Sequence, residues 1–157
     1  LQRQARGDEA NVAFAEAMAL DPTNGVAVIN AANAQRALRI FAESSALYLK
    51  AQSLRLPDTV KAAALLGRIV GATNTGDCTA AEQAVREAKA SPYSSPASTA
   101  GVEAIYIVRC EFEEARAVAL IEKYATLHPD AAGQMNNLGA VYLFRPEKRY
   151  LAEAIKV

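Results

Sequence analysis

Residues 10–22 read ANVAFAEAMALDP. A small residue, an aromatic, a second small residue and a proline fall at offsets 0, 4, 7 and 12: Ala10, Phe14, Ala17 and Pro22. Offsets 0, 4 and 7 share one face of an α-helix. The small side chains let a neighbouring helix approach, and the aromatic fills the space beside them. Pro22 stops the helix, because its nitrogen carries no proton and its ring clashes with the preceding turn. The phrase returns as Ser44, Tyr48, Ala51 and Pro57.

Further along the chain the same phrase recurs in RGDEANVAF, IFAESSALY, GDCTAAEQAV, CEFEEARAV and KRYLAEAI. In each, a turn leads into a small residue and then an apolar stripe of helical period. The small residues are Ala10, Ser44, Ala81, Ala115 and Ala154, spaced by 34, 37, 34 and 39. A period near 34 with loops of variable length predicts stacked helix–turn–helix units. Second helices are expected over roughly 8–20, 42–55, 79–90, 113–127 and from 149 onward. First helices are expected over roughly 25–39, 59–73, 97–109 and 131–144, with residues 1–6 as the tail of an earlier one. The units divide a single domain, 1–157, into about 1–23, 24–57, 58–94, 95–129 and 130–157. Thr79 with Glu82 spells a capping box, and Asp58-Thr59 offers a second cap. The loop SPYSSP, 91–96, is the longest break between helices.

Composition agrees with helix. About 35 of the 157 residues are alanine, well above ordinary usage. Hydrophobic residues make up 52% and charged residues 22%, enough apolar surface for a packed core. Lys plus Arg and Asp plus Glu are both 17, so no broad basic field is available for nucleic acid, and no nucleic-acid partner is expected. No apolar run reaches the length of a membrane-spanning helix, so no membrane insertion is expected. The single histidine, His128, excludes multi-histidine metal sites. No Gly-rich phosphate loop, HExxH, GxSxG or Cys-x-x-Cys occurs, so no enzyme, cofactor or metal is expected. The chain begins at Leu1 and ends within a helical pattern, LAEAIKV, which points to a piece of a longer protein.

Period and phrase together resemble the tetratricopeptide repeat. The small–aromatic–small–proline pattern is similar to that family's second helix. Its first helix carries a Leu-Gly pair with a tyrosine three residues on, matched by Leu138-Gly139 and Tyr142. Leu66-Gly67 followed by Val70 matches in part, Val102-Glu103 keeps only Tyr106, and Ala31-Ala32 with Gln35 matches least. The resemblance implies an all-α, right-handed superhelical solenoid of antiparallel helix pairs. It also implies a concave groove, lined by first helices, that binds a protein or peptide partner. Carried onto this sequence, groove candidates include Ile29, Asn33, Arg36, Arg68, Asn136 and Asn137, with Arg86 and Lys89 on the outer face. Asn33 and Asn137 stand where a chaperone-binding branch holds a C-terminal carboxylate. That branch needs a lysine where this chain has Ile29, so the clamp is incomplete. Asn30 and Asn137 bonding across repeats is the other reading.

MNNLGAVY after a Pro-Asp turn resembles repeats of bacterial envelope assemblies, including tight-adherence pilus lipoproteins and polysaccharide-secretion scaffolds. The expected function is a non-catalytic scaffold or adaptor binding a peptide or partner helix. The alternative is a regulatory or substrate-presenting repeat domain fused to an enzyme.

Two residues speak to the compartment. Cys78 and Cys110 both fall in turns between the helices of successive units, turns that stack along one edge. A bridge is geometrically open to them and would stabilise by roughly 3–4 kcal/mol in the chain-entropy model. It would place the protein in the periplasm or outside the cell. Two free thiols, and a cytoplasmic protein, are the alternative. Glu111, Glu113 and Glu114 read as a solvated acidic first turn, favourable to the helix dipole.

Overall fold

The computed structural model of the chain describes residues 2–127, with side chains from Glu9 onward. The elements expected over 131–144 and from 149, with His128, Asn136, Asn137, Gly139 and Tyr142, lie outside the described residues. Among the described residues the fold is all-α, without strands. The helices are α1 (Gln2–Leu20), α2 (Gly25–Ala37), α3 (Phe41–Gln52), α4 (Asp58–Thr75), α5 (Cys78–Ala90), α6 (Pro96–Tyr106) and α7 (Glu114–Leu127). A π-helical turn, Ile107–Glu111, follows α6 directly. No described helix is long and apolar enough to cross a membrane.

Each helix packs on the next from α1 through α7, and α2 also packs on α4 and α4 on α6. The short connections impose antiparallel neighbours. Asn24 caps α2 by accepting from Ala27 N at 3.1 Å, and Ser95 caps α6 by accepting from Ser98 N at 3.1 Å. Pro96 occupies the first position of α6, where a missing N–H costs nothing.

Three turns repeat one construction. Arg39, Gly76 and Phe112 have left-handed φ of 65°, 76° and 59°. In the first two, the next N–H reaches back five residues: Ile40 to Gln35 O at 2.9 Å and Asp77 to Ala72 O at 3.0 Å. This satisfies carbonyls that the ending helix leaves open. Ile40, Asp77 and Glu113 then accept the first bond of the following helix, from Ser44, Ala81 and Ala117. Those three residues are all fully buried.

That construction corrects the sequence register in α7. Ala117, Ile121 and Tyr124 take the inward positions that Ser44, Tyr48 and Ala51 hold in α3 and Ala81, Val85 and Ala88 hold in α5. Ala115, read as the small inward residue, is exposed. The preceding first helix also ends earlier than 109, giving way to the π turn. Three further differences are local. α1 is one helix through Gly7, because a single glycine inside a helix costs only about 1 kcal/mol. Asp77, not Thr79, caps α5, accepting from Ala80 N at 3.0 Å. Asp58 is the first residue of α4 rather than its cap, and its carboxylate pairs with Lys61 at 3.1 Å.

The core has two parts. Val28, Ile29, Ala32, Tyr48, Ala51, Leu56 and Ala64 join α2, α3 and the start of α4. The larger part joins the end of α4 to α5, α6, the π turn and α7 around Ile69, Val85, Ile107 and Ile121. Tyr48 anchors the first: a Cβ at Gly67 would overlap its ring, so only glycine lets α3 and α4 meet there. Its hydroxyl donates to Asn33 Oδ1 at 2.6 Å.

Candidate functional site

The described surface carries clefts between consecutive second helices, with a first helix as the floor of each. Between α3 and α5 lies a cavity of about 700 Å³ over α4. One wall is the α3 face of Ala42, Ser45, Ala46 and Leu49; the other is Asp77, Ala80, Gln83 and Glu87 of α5 and its cap. Between α5 and α7, over α6, lie two more, of about 320 and 440 Å³, both touching Lys89 and Glu103.

Each cleft has an ionised side chain buried in its floor. Arg68 is 6% exposed. It donates to Gln52 Oε1 at 2.7 Å and, in a fork, to Glu87 at 2.5 and 3.2 Å. The charge-assisted bond from Arg68 holds the Glu87 carboxyl below its usual range. Glu103 is 7% exposed and accepts from Lys89 Nζ at 2.8 Å, and Lys123 lines the same cavity. Burial is affordable for both ions because each is paired and hydrogen-bonded.

At the other end of the α5–α7 cleft, Arg116 is held by Glu111 and, at 3.2 Å, by Glu113. Of the three acids, Glu114 lies in the first turn of α7, whereas Glu111 and Glu113 make ion pairs just before it. Burial, with Glu111 alongside, pushes the Tyr106 phenol up to about 12. It stays protonated and neutral at any physiological pH.

The residues predicted from sequence are dispersed. Asn33 and Arg36 are exposed on α2, with the Asn33 carbonyl oxygen engaged by Tyr48. Ile29, expected in the groove, is 4% exposed and packs in the first core, so it offers a partner nothing. Arg68 reaches the α3–α5 cleft rather than grouping with Asn33 and Arg36. Gln52, Glu87 and Glu103 carry no local motif that marks them in the sequence. A usable signal was present: Gln52 and Lys89 are 37 residues apart, and Arg68 and Glu103 are 35 apart, with the buried charge reversed.

Cys78 and Cys110 are joined by a disulfide, with their Cα atoms 5.5 Å apart. It ties the start of α5 to the π turn. Beside it, Arg109 Nη1 donates to Asn74 Oδ1 at 2.8 Å, tying the same turn to the end of α4. No protein-family model matches the chain, and no curated protein sequence matches it.

Proposed function

We propose that the chain is a non-catalytic interaction scaffold, a right-handed superhelical stack of tetratricopeptide-like units that binds a peptide or partner helix. The observation that carries this reading is the recurrence of one turn, left-handed residue then buried small residue five positions on, at Arg39, Gly76 and Phe112. A stack of like units offers a long surface with no chemistry of its own. The face of first helices, with Asn33 and Arg36 exposed, supplies amide and guanidinium donors for a peptide backbone or carboxylate. The disulfide supports an oxidising compartment, periplasmic or extracellular, consistent with an envelope or pilus-assembly role.

A photo-crosslinking side chain placed at Asn33 or Arg36, in the native host, tests the reading. A discrete protein adduct is expected there and not at Arg86. Adducts at Arg86 alone would move the site to the second-helix face, and no adduct at any of the three would overturn the scaffold reading. Intact mass of the native protein under non-reducing conditions tests the compartment: two free thiols would sink the periplasmic assignment.

A further inference from the structure

The turn between α6 and α7 differs from its counterpart between α4 and α5 by one residue. Arg68 stands eight residues before left-handed Gly76, whereas Glu103 stands nine before left-handed Phe112. Arg68 and Glu103 are equivalent, since they bond to Gln52 and Lys89, each eight residues after its buried small residue, Ser44 or Ala81. Downstream of the left-handed residue all three turns agree. The additional residue therefore lies between Glu103 and Phe112, and the π turn at Ile107–Glu111 absorbs it.

From this turn Cys110 bonds to Cys78 at the start of α5, and Arg109 bonds to Asn74 near the end of α4. A π turn is intrinsically less favourable than an α turn, so something must hold it. A covalent bond and a hydrogen bond tie it, beside the packing of Ile107 and Val108 in the second core, and both cysteines are half-buried, open to a small thiol. Glu111, at the end of the turn, pairs with Arg116 of α7, so the turn also sets how α7 meets α5 across the cleft.

We propose that the Cys78–Cys110 bond is a redox-sensitive clamp on the π turn. Its reduction lets residues 107–111 adopt α-helical pairing and loosens α7 against α5. A dithiol supplies two electrons and two protons: the Sγ–Sγ bond breaks, two thiols form on the chain, and the dithiol leaves as its own disulfide. The clamp does not depend on the partner-binding reading above.

Amide hydrogen exchange on the chain, oxidised and in excess dithiothreitol, tests it. Amides over 107–118 should exchange about tenfold faster or more after reduction, with those of α3 unchanged. The double variant Cys78→Ser/Cys110→Ser should match the reduced protein. Equal protection in both states would overturn the clamp, and so would an acceleration shared equally by α3, which would make the bridge a global staple. A second variant isolates the added residue: Cys78→Ser with residue 110 deleted restores the eight-residue spacing. Protection over 107–118 should return to within about threefold of the oxidised protein. Persistent fast exchange in that variant overturns the role assigned to the π turn.

Discussion

The α3–α5 cleft and the α5–α7 cleft solve the same packing problem with opposite choices. In the first, the buried floor ion is a cation, Arg68, matched by Glu87. In the second it is an anion, Glu103, matched by Lys89. α5 thus supplies Glu87 to one cleft and Lys89 to the next, one charge of each sign from a single helix. The apolar contacts differ in the same way. Tyr48 of α3 meets Gly67 of α4, whereas at the equivalent places Val85 of α5 and Val102 of α6 share the second core. Large-against-none has become medium-against-medium, with similar filled volume. Because both charge and shape alternate, a unit moved out of order would bury an unmatched ion and misfit its neighbour. Complementarity between neighbouring helices, rather than the shared phrase, then favours this order along the chain.

Breaking the shape half of the comparison should have the largest effect. Gly67→Val makes α4 resemble α6 but leaves Tyr48 opposite, and a Cβ there overlaps its ring. Tyr48 cannot swing away cheaply, being 1% exposed and tethered to Asn33. A loss of about 3 kcal/mol is expected in chemical denaturation. Adding Tyr48→Val recreates the Val–Val arrangement and should recover part of it. A double variant no more stable than Gly67→Val would mean that the two contacts are not equivalent.

The charge half is a smaller effect. Glu87→Gln leaves Arg68 buried with only neutral partners, at a cost of about 1–2 kcal/mol, lower than for a fully buried pair because Glu87 is 37% exposed. Its carboxyl is held below the usual value of 4.5 in the folded state. The pair's stabilisation is therefore present above that value and is lost as pH falls through the lower folded-state value. The stability gap between wild type and Glu87→Gln should be constant near neutrality and close in acid below about pH 4.5. Lys89→Gln should cost less, under about 1 kcal/mol, because Lys123 remains in the cleft with Glu103. Equal losses would remove the asymmetry between the clefts.

How much of this the sequence discloses depends on the range of the interaction. The small–aromatic–small face of α3 is legible because Ser44, Tyr48 and Ala51 obey helical spacing alone, and all three are buried. The cap at Asp77 is missed because Thr79 and Glu82 spell a stronger local motif, and Gly76 decides which residue is first. The two-residue error in α7 exceeds the single residue that the π turn adds: Ala115 and Ala117 are both small, and the left-handed turn at Phe112 decides which of them faces inward. Ile29 is assigned to the groove by analogy of position, yet Tyr48 and Leu56 cover it from α3 and the following loop. The clefts are the least legible part. Arg68 and Glu103 become comparable only once Gln52 and Lys89 are seen beside them.

The smallest expected effect compares Ser44 with Ala81, equivalent residues that are both fully buried. Ser44 Oγ donates to Ala32 O at 2.9 Å. That carbonyl belongs to the interior of α2 and keeps its helical partner without the hydroxyl. Ser44→Ala therefore removes donor and need together, leaves no orphaned group, and should cost about 0.5 kcal/mol. The reverse change is not its mirror image. Ile69 occupies the place of Ala32 in α4, and its carbonyl already accepts from Thr73 Oγ1 at 2.7 Å besides the helical bond. Ala81→Ser thus introduces a hydroxyl beside an occupied acceptor in the middle of the second core, and should cost about 1 kcal/mol. Removing Thr73's hydroxyl in the same chain, as Thr73→Val, frees that acceptor and should make Ala81→Ser nearly neutral. If Ala81→Ser costs the same with and without Thr73→Val, the two carbonyls are not equivalent, and the correspondence between α2–α3 and α4–α5 fails at the level of single atoms.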